Sequence, residues 1–194
     1  GKLGKKTAFI GKVGNDQFGN MLRKTIESVG IDAEGLVIDD KVHTTLAFVH
    51  TYPDGDRDFS FYRNPGADMM LRKEEVSLDK ICASKIFHFG TLSFTHAGIR
   101  TASQYAIQCA KEAGALISFD PNLREPLWEN LEDARKVIEY GMECCDILKI
   151  SDNELTFMTG EKDYDKGAVL LQQKYQIPLV CVTLGKDGSR AYYK

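Results

Sequence analysis

"KIFHFGTLSFTHAGIRTASQYAIQCAKEAGALISFD", residues 85–120, decides the fold class. Its first part, "KIFHFGTLSF", reads as a strand with a polar tip. "HAGIRTASQYAIQCAKEAG" then reads as a helix closed by a glycine, and "ALISFD" is again short and apolar. Strand, helix and strand in succession is the unit that lays two strands parallel, because parallel neighbours need a crossover connection. The unit repeats on both sides. Toward the carboxyl end follow the polar loop "PNLREP", a helix through "LEDARKVIEYGMECC", the strand "DILKIS", the helical "DNELTFMTG", another helix near "KGAVLLQQKY" and the strand "PLVCVTLG". Toward the amino end, "KTAFIGKV" reads as one short buried strand. "DQFGNMLRKTIESVG" reads as a helix with Phe18, Leu22, Ile26 and Val29 at helical spacing, Asn15 or Asp16 as its cap and Gly30 as its stop. This alternation predicts an α/β fold, a mostly parallel sheet with helices on both faces. Such sheets bind ligands beyond the carboxyl ends of their strands, so the tips to inspect are "GTLS", "DPNLR", "SDNE" and "TLGKDG".

One segment interrupts the alternation. "TTLAFVHTYPDGDRDFSFYR" is two alternating strands around Pro53-Asp54-Gly55-Asp56, a strong turn signal, and predicts an antiparallel hairpin over about residues 43–65. Phe59, Phe61 and Arg63 fall on one side of its second strand, since side chains alternate with period two. Two aromatics and a cation suit a lid over a small polar ligand. They equally suit a hairpin docked on the core, with Arg63 in a surface ion pair. With no repeat or long linker, the reading is a single domain over 1–194 with this hairpin inserted.

At 194 residues the chain is long enough to bury about 70% of its unfolded surface as one domain. Its 43% hydrophobic and 27% charged content is that of an ordinary globular protein. A net charge of -3, with no basic run beyond "GKLGKK", argues against a nucleic-acid surface. No apolar stretch approaches the roughly 18 residues of a membrane span, which argues against a membrane partner. The five cysteines are odd in number and lack C-x-x-C spacing, so they read as reduced thiols of a cytoplasmic protein. His43, His50, His88 and His96 show no metal-ligand spacing.

"GKVGNDQFGNM", residues 11–21, resembles a phosphate loop at first sight. From Gly14 it lacks the lysine and hydroxyl of a Walker loop, and it lacks the tight G-x-G-x-x-G of a dinucleotide site. As a strand-to-helix turn it needs glycines for the bend, and direct ligand contact is the alternative.

Taken in order, "FIGKVGNDQFG", "DFSFYRNPGAD", "DPNLR", "KISDNELTFMTG" and "VTLGKDG" resemble the ribokinase-like (PfkB) carbohydrate kinases, fructokinases above all. The resemblance runs over essentially the whole chain. It implies a ribokinase-like fold and transfer of the terminal phosphoryl group of ATP, with magnesium, to a sugar hydroxyl under a small β lid. 2-Keto-3-deoxygluconate kinase, ribokinase or a non-catalytic sugar- or nucleotide-binding remnant are the alternatives. Phe61 and Arg63 match lid positions that contact the sugar, and Arg124 matches an arginine near both sugar and phosphates. Asn122 lies by the nucleotide, although "DPN" by itself is a turn with Asp120 as a cap. The family's Asn-x-x-Glu motif falls on Ser151 to Glu154, which implies phosphate contact for Ser151 and a metal role, through water, for Glu154. Read without the resemblance, "SDNE" is a capping box at a helix start. Thr183, Gly185 and Gly188 match the loop lining the ATP site; read alone, that loop is a hairpin turn. Two family elements have no counterpart in these residues. One is a glycine-rich sugar segment expected before Gly1, and the other is a Gly-Ala-Gly-Asp segment, with the base, expected after Lys194. Both ends therefore read as cut, no catalytic residue is assigned, and the 194 residues are expected to be nearly inactive. The parent is expected to form a homodimer through the lid.

Overall fold

The structure is a computed structural model that describes residues 1–53 and 57–194. Asp54, Gly55 and Asp56 of the expected hairpin turn lie outside the described residues. The chain divides into two compact units: Gly1–Lys80 with His96–Ser103, and Ile81–Thr95 with Gln104–Lys194.

The first unit is built from short pairs of strands. β1 (Thr7–Ala8) and β2 (Gly11–Gly14) precede helix α1 (Gln17–Ser28), and β3 (Ile31–Asp32), β4 (Leu36–Asp39), β5 (Leu46–Thr51) and β6 (Arg57–Tyr62) follow. β1 pairs in parallel with β3, and β2 with β4. "KTAFIGKV" is therefore two strands, not one. The break comes where the chain changes partner: the Phe9 amide donates to Asp32 at 2.9 Å and the Gly11 amide to Gly35 at 3.3 Å. Only the second strand is buried. Its Val13 packs with Ala33 and Leu36, and Ile26 of α1 covers them. The helix and its Asp16 cap are as expected, yet Phe18 and Leu22 stay 48% and 41% exposed, so helical spacing located the helix without locating a buried face. Lys12 of β2 is buried, with its Nζ 3.0 Å from Asp39 and 2.9 Å from Glu75. β5 and β6 form the expected antiparallel hairpin, in the register Ala47 to Phe61 and Val49 to Phe59.

Helices α2 (Leu78–Cys82) and α3 (Ala97–Glu112) contribute residues to both units. The second unit continues with β7 (Ile86–Gly90), β8 (Leu116–Asp120), α4 (Leu131–Cys144), β9 (Ile147–Ser151), α5 (Asp152–Thr159), α6 (Tyr164–Tyr175), β10 (Leu179–Thr183) and β11 (Ser189–Tyr193). Its sheet has the order β11-β10-β9-β8-β7, with β7 to β10 parallel and β11 antiparallel.

Here the chain marches across the sheet in one direction. Right-handed crossovers taken always the same way set their helices on the same face. Phe89, Ile117, Phe119, Leu148, Ile150, Val180 and Val182 are correspondingly buried. α4 lies so close above them that a Cβ on Gly141 would stand 2.3 Å from the Phe119 ring. On the alternate residues Ile86 and Leu116 remain 54% and 49% exposed. The mostly parallel α/β sheet is as expected. Within the described residues of this unit the crossover helices lie on one face of the sheet.

Candidate functional site

The predicted residues fall into two groups. Phe61 and Arg63 belong to the first unit, and Asn122, Arg124, Ser151, Glu154, Thr183, Gly185 and Gly188 to the second.

In the hairpin, the Phe59 and Phe61 rings stack with centroids 6.0 Å apart and planes 11° from parallel. Arg63 follows directly. Its Nε donates to Asp68 at 2.7 Å, a terminal nitrogen stands 2.5 Å from the same carboxylate oxygen, and Thr45 donates to the other oxygen. The Arg63 side chain is only 6% exposed. The ion pair allowed for in the docked reading is present, with the Arg63 side chain buried and the Asp68 carboxylate 39% exposed. Asp68, five residues on, escaped the sequence reading because nothing in spacing alone ties it to Arg63. The opposite face of the ribbon carries exposed Phe48 and Tyr62, edge to face at 5.4 Å.

The "GKVGNDQFG" turn is internally saturated. Asp16 accepts from the Gly19 amide, the Thr44 amide and the Thr44 hydroxyl, each at 2.8 Å. Thr44 Oγ1 in turn accepts from the Gly14 amide at 2.9 Å. A Cβ on Gly14 would come within 2.6 Å of the Thr44 nitrogen, and one on Gly19 within 2.2 Å of the Gly14 carbonyl. The glycines serve close packing here. Burial would raise the Asp16 pKa, but the hydrogen bonds from Thr44 and Gly19 outweigh it and lower the value to about 2.

In the second unit the predicted residues gather at the carboxyl ends of β8, β9 and β10. Ser151 closes β9 and stands opposite Thr183, the last residue of β10. Ser151 also caps α5. Its hydroxyl accepts from the Glu154 amide at 3.3 Å, while Glu154 Oε2 accepts from the Ser151 amide at 2.9 Å and its hydroxyl at 2.8 Å. The capping box of the unaided reading is thus built. Glu154 does more than cap: its Oε1 accepts from the Leu123 amide at 2.7 Å, fastening the loop after β8 to the start of α5. The carboxylate is buried, with hydrogen bonds on both oxygens.

That loop is tightly turned. Asp120 Oδ1 accepts from the Asn122 amide at 3.2 Å, and Asn122 adopts φ 44°, a left-handed conformation that asparagine tolerates better than most residues. Lys149 on β9 reaches Asp120 Oδ2 at 2.9 Å and is 41% exposed. Sequence reading passed over this lysine, although it precedes Ser151 by two and shares its side of the strand. Arg124, half-buried, opens a short 3-10 turn, Glu125–Leu127. Trp128 follows, its indole nitrogen buried with no hydrogen-bond partner. Beyond β10, "TLGKDG" is a tight turn into β11. The amides of Leu184, Asp187 and Gly188 bond within it, and Gly188 holds φ 90°. The His88 ring bonds Ser118 across β7 and β8 at 3.0 Å, and no histidine joins the strand-end cluster.

This rim offers two cations, Arg124 and Lys149, and two hydroxyls, Ser151 and Thr183, beside an N-capped helix. Such a set is suited to phosphoryl oxygens. Among the described residues no group of three or more His, Cys, Asp or Glu could hold a metal ion.

The profile of the pfkB family carbohydrate kinases matches residues 1–194. This chain belongs to that family. A pfkB relative named probable fructokinase-2, from Arabidopsis thaliana, is 46% identical over 193 residues, which cover all of this chain and 59% of the relative. The crystal structure of Xylella fastidiosa fructokinase with bound ATP superposes with a TM-score of 0.87 at 32% identity, covering 100% of this chain and 61% of that one. A Vibrio cholerae O395 fructokinase in its fructose, ADP and calcium-bound form gives a TM-score of 0.87 at 30% identity, over 99% of this chain and 61% of that one. The chain spans about three fifths of the length of the relatives it matches.

Proposed function

We propose that this pfkB chain carries the lid and the nucleotide-end loops of an ATP-dependent fructokinase, which moves the terminal phosphoryl group of ATP to a hydroxyl of fructose. The observation that carries the reading is the junction at Glu154, whose carboxylate binds the "DPNLR" loop to the start of α5 beside Ser151 and Thr183. The relatives' names supply the sugar and the nucleotide.

Each residue has a task in this reading. Arg124 and Lys149 draw the phosphates to the rim, the Thr183 hydroxyl donates to their oxygens, and the Ser151 hydroxyl joins it by turning its one proton away from Glu154. Asn122 and the turn around Gly185 and Gly188 shape the nucleotide end. Arg63, aimed by Asp68 and flanked by Phe61, presents fixed donors to sugar oxygens while the aromatics exclude water. Magnesium arrives with the nucleotide, since Glu154 has both oxygens engaged and fits a role through water better than direct ligation. Phosphoryl transfer rests mainly on positioning and electrostatics. No residue here is assigned as the base. The exposed Phe48 and Tyr62 are suited to association of two copies through the hairpin. No helix among the described residues is long and apolar enough to cross a membrane, and the five free cysteines suit a reducing cytoplasm.

The test is calorimetric titration of the 194-residue protein with Mg·ATP, alongside single-turnover assays with fructose, ribose and 2-keto-3-deoxygluconate. Nucleotide binding weakened by Arg124→Met, with phosphorylation slow and confined to fructose, is expected. Absence of nucleotide binding, or equal transfer to all three acceptors, would overturn the reading.

A further inference from the structure

At the base of the hairpin stands a carboxylate to which the sugar chemistry above gives only a supporting part. Asp68 lies in the short 3-10 turn Ala67–Met70, which the Ala67 amide ties to the His43 carbonyl at 2.8 Å, shortly before β5. Two nitrogens of Arg63 converge on Asp68 Oδ2, and the Thr45 hydroxyl donates to Oδ1. These side chains close around Gly66, where an added Cβ would meet Thr45 Oγ1, Asp68 Oδ1 and the Arg63 side chain together. Exposure within the ion pair is uneven. The Arg63 side chain is 6% exposed and that of Asp68 39%, so an incoming ligand meets the carboxylate more openly than the cation.

A guanidinium with no acid beside it is a seat for a carboxylate, because its planar fork matches two carboxylate oxygens. Here a resident carboxylate already takes two of those donors on one oxygen, and its charge opposes a second anion. An ionised carboxylate only accepts hydrogen bonds. It can receive the proton of a sugar hydroxyl, and it has nothing to offer the carboxylate of a sugar acid. We propose that Asp68 sets the acceptor class of the lid: it offsets the charge of Arg63, accepts from a hydroxyl of a neutral sugar, and turns sugar acids away. The inference rests on the reading of the hairpin as a sugar lid, and it goes further by assigning the discrimination to a residue outside the hairpin strands. Arg63 alone would favour the opposite class. Specificity of this kind comes from the repulsive group as much as from the attractive one.

The test measures binding of three probes to the 194-residue protein by saturation-transfer NMR: fructose, 2-keto-3-deoxygluconate, and the uncharged methyl ester of that acid. In the parent, fructose and the ester bind, and the acid binds about tenfold more weakly than its ester. Asp68→Asn keeps the shape of the side chain and removes its charge. The acid then binds at least as well as the ester, and fructose binds about fivefold more weakly, since a neutral acceptor replaces a charged one. The gain for the acid disappears in Asp68→Asn/Arg63→Met. Thr45→Val, which loosens the same turn without altering charge, leaves the acid-to-ester ratio at the parent value. The ratio in the parent decides even where Asp68→Asn does not fold. Equal binding of acid and ester by the parent, an unchanged ratio in folded Asp68→Asn, acid binding that survives in the double variant, or the same change in Thr45→Val would each overturn the inference and leave the lid reading in place. Binding of none of the three probes would overturn the lid reading itself, and the inference with it.

Discussion

Replacing Glu154 tests the junction at the strand ends most directly. In Glu154→Ala the Leu123 and Ser151 amides lose their acceptor together, and the Ser151 hydroxyl loses its own. A part-buried amide left unpaired costs about 1 kcal/mol or more, and water entering the gap recovers some of it. The Ser151 amide is the one that this half of the capping box satisfies, so the two amides together bring the total to about 2 kcal/mol. Glu154→Gln behaves differently. Its single carbonyl can serve Leu123 or Ser151, but the amide nitrogen then faces the other N–H, so the loss is about half. With a urea slope near 2 kcal/mol/M, the alanine variant should melt about 1 M lower and the glutamine variant at about half that shift. Hydrogen exchange should quicken at Asn122, Leu123 and Arg124 in both. An alanine variant melting within about 0.2 M of the parent, with loop exchange unchanged, would refute the reasoning.

Asp16 gives a pH signature. Its pKa in the folded protein falls to about 2, below the ordinary 3.8, so its contribution to stability is complete above about 4 and disappears as pH drops through 2. Chemical denaturation from pH 5 to 2 should show a steeper decline in the parent than in Asp16→Asn. Lys12→Met removes the cation that Asp39 and Glu75 share, while Glu75 keeps Arg72 and Asp39 keeps the Lys41 and Val42 amides, so the loss should be about 1–3 kcal/mol; adding Asp39→Asn should restore part of it, as read by urea melts. Gly141→Ala drives a methyl into the Phe119 ring and should cost about 1–3 kcal/mol, with a denaturation midpoint unchanged from the parent counting against the close α4 contact.

Much of this structure was legible because its signals are local. The strand and helix succession from Lys85 onward, the Asp16 cap, the hairpin and the Ser151–Glu154 box each depend on residues within a few positions of one another. What stayed hidden depends on distant partners. Glu154 reaches Leu123 across 31 residues, Asp16 reaches Thr44 across 28, and Lys12 reaches Glu75 across 63. The split of "KTAFIGKV" has the same origin, since a change of partner at Phe9 leaves no mark on hydrophobic periodicity. Even Phe18 and Leu22, perfectly spaced, could not announce that their side of α1 would stay half-exposed.

Trp128 is the chain's one tryptophan, and it sits just past Arg124 with its indole nitrogen sealed from solvent. An emitter in that setting should fluoresce toward the blue, and its neighbours in sequence are those that would move when an anion met the rim. The protein therefore comes with an intrinsic optical gauge for the "DPNLR" loop. A red shift on unfastening Glu154, or a change of intensity on adding nucleotide, can be read without attaching a label.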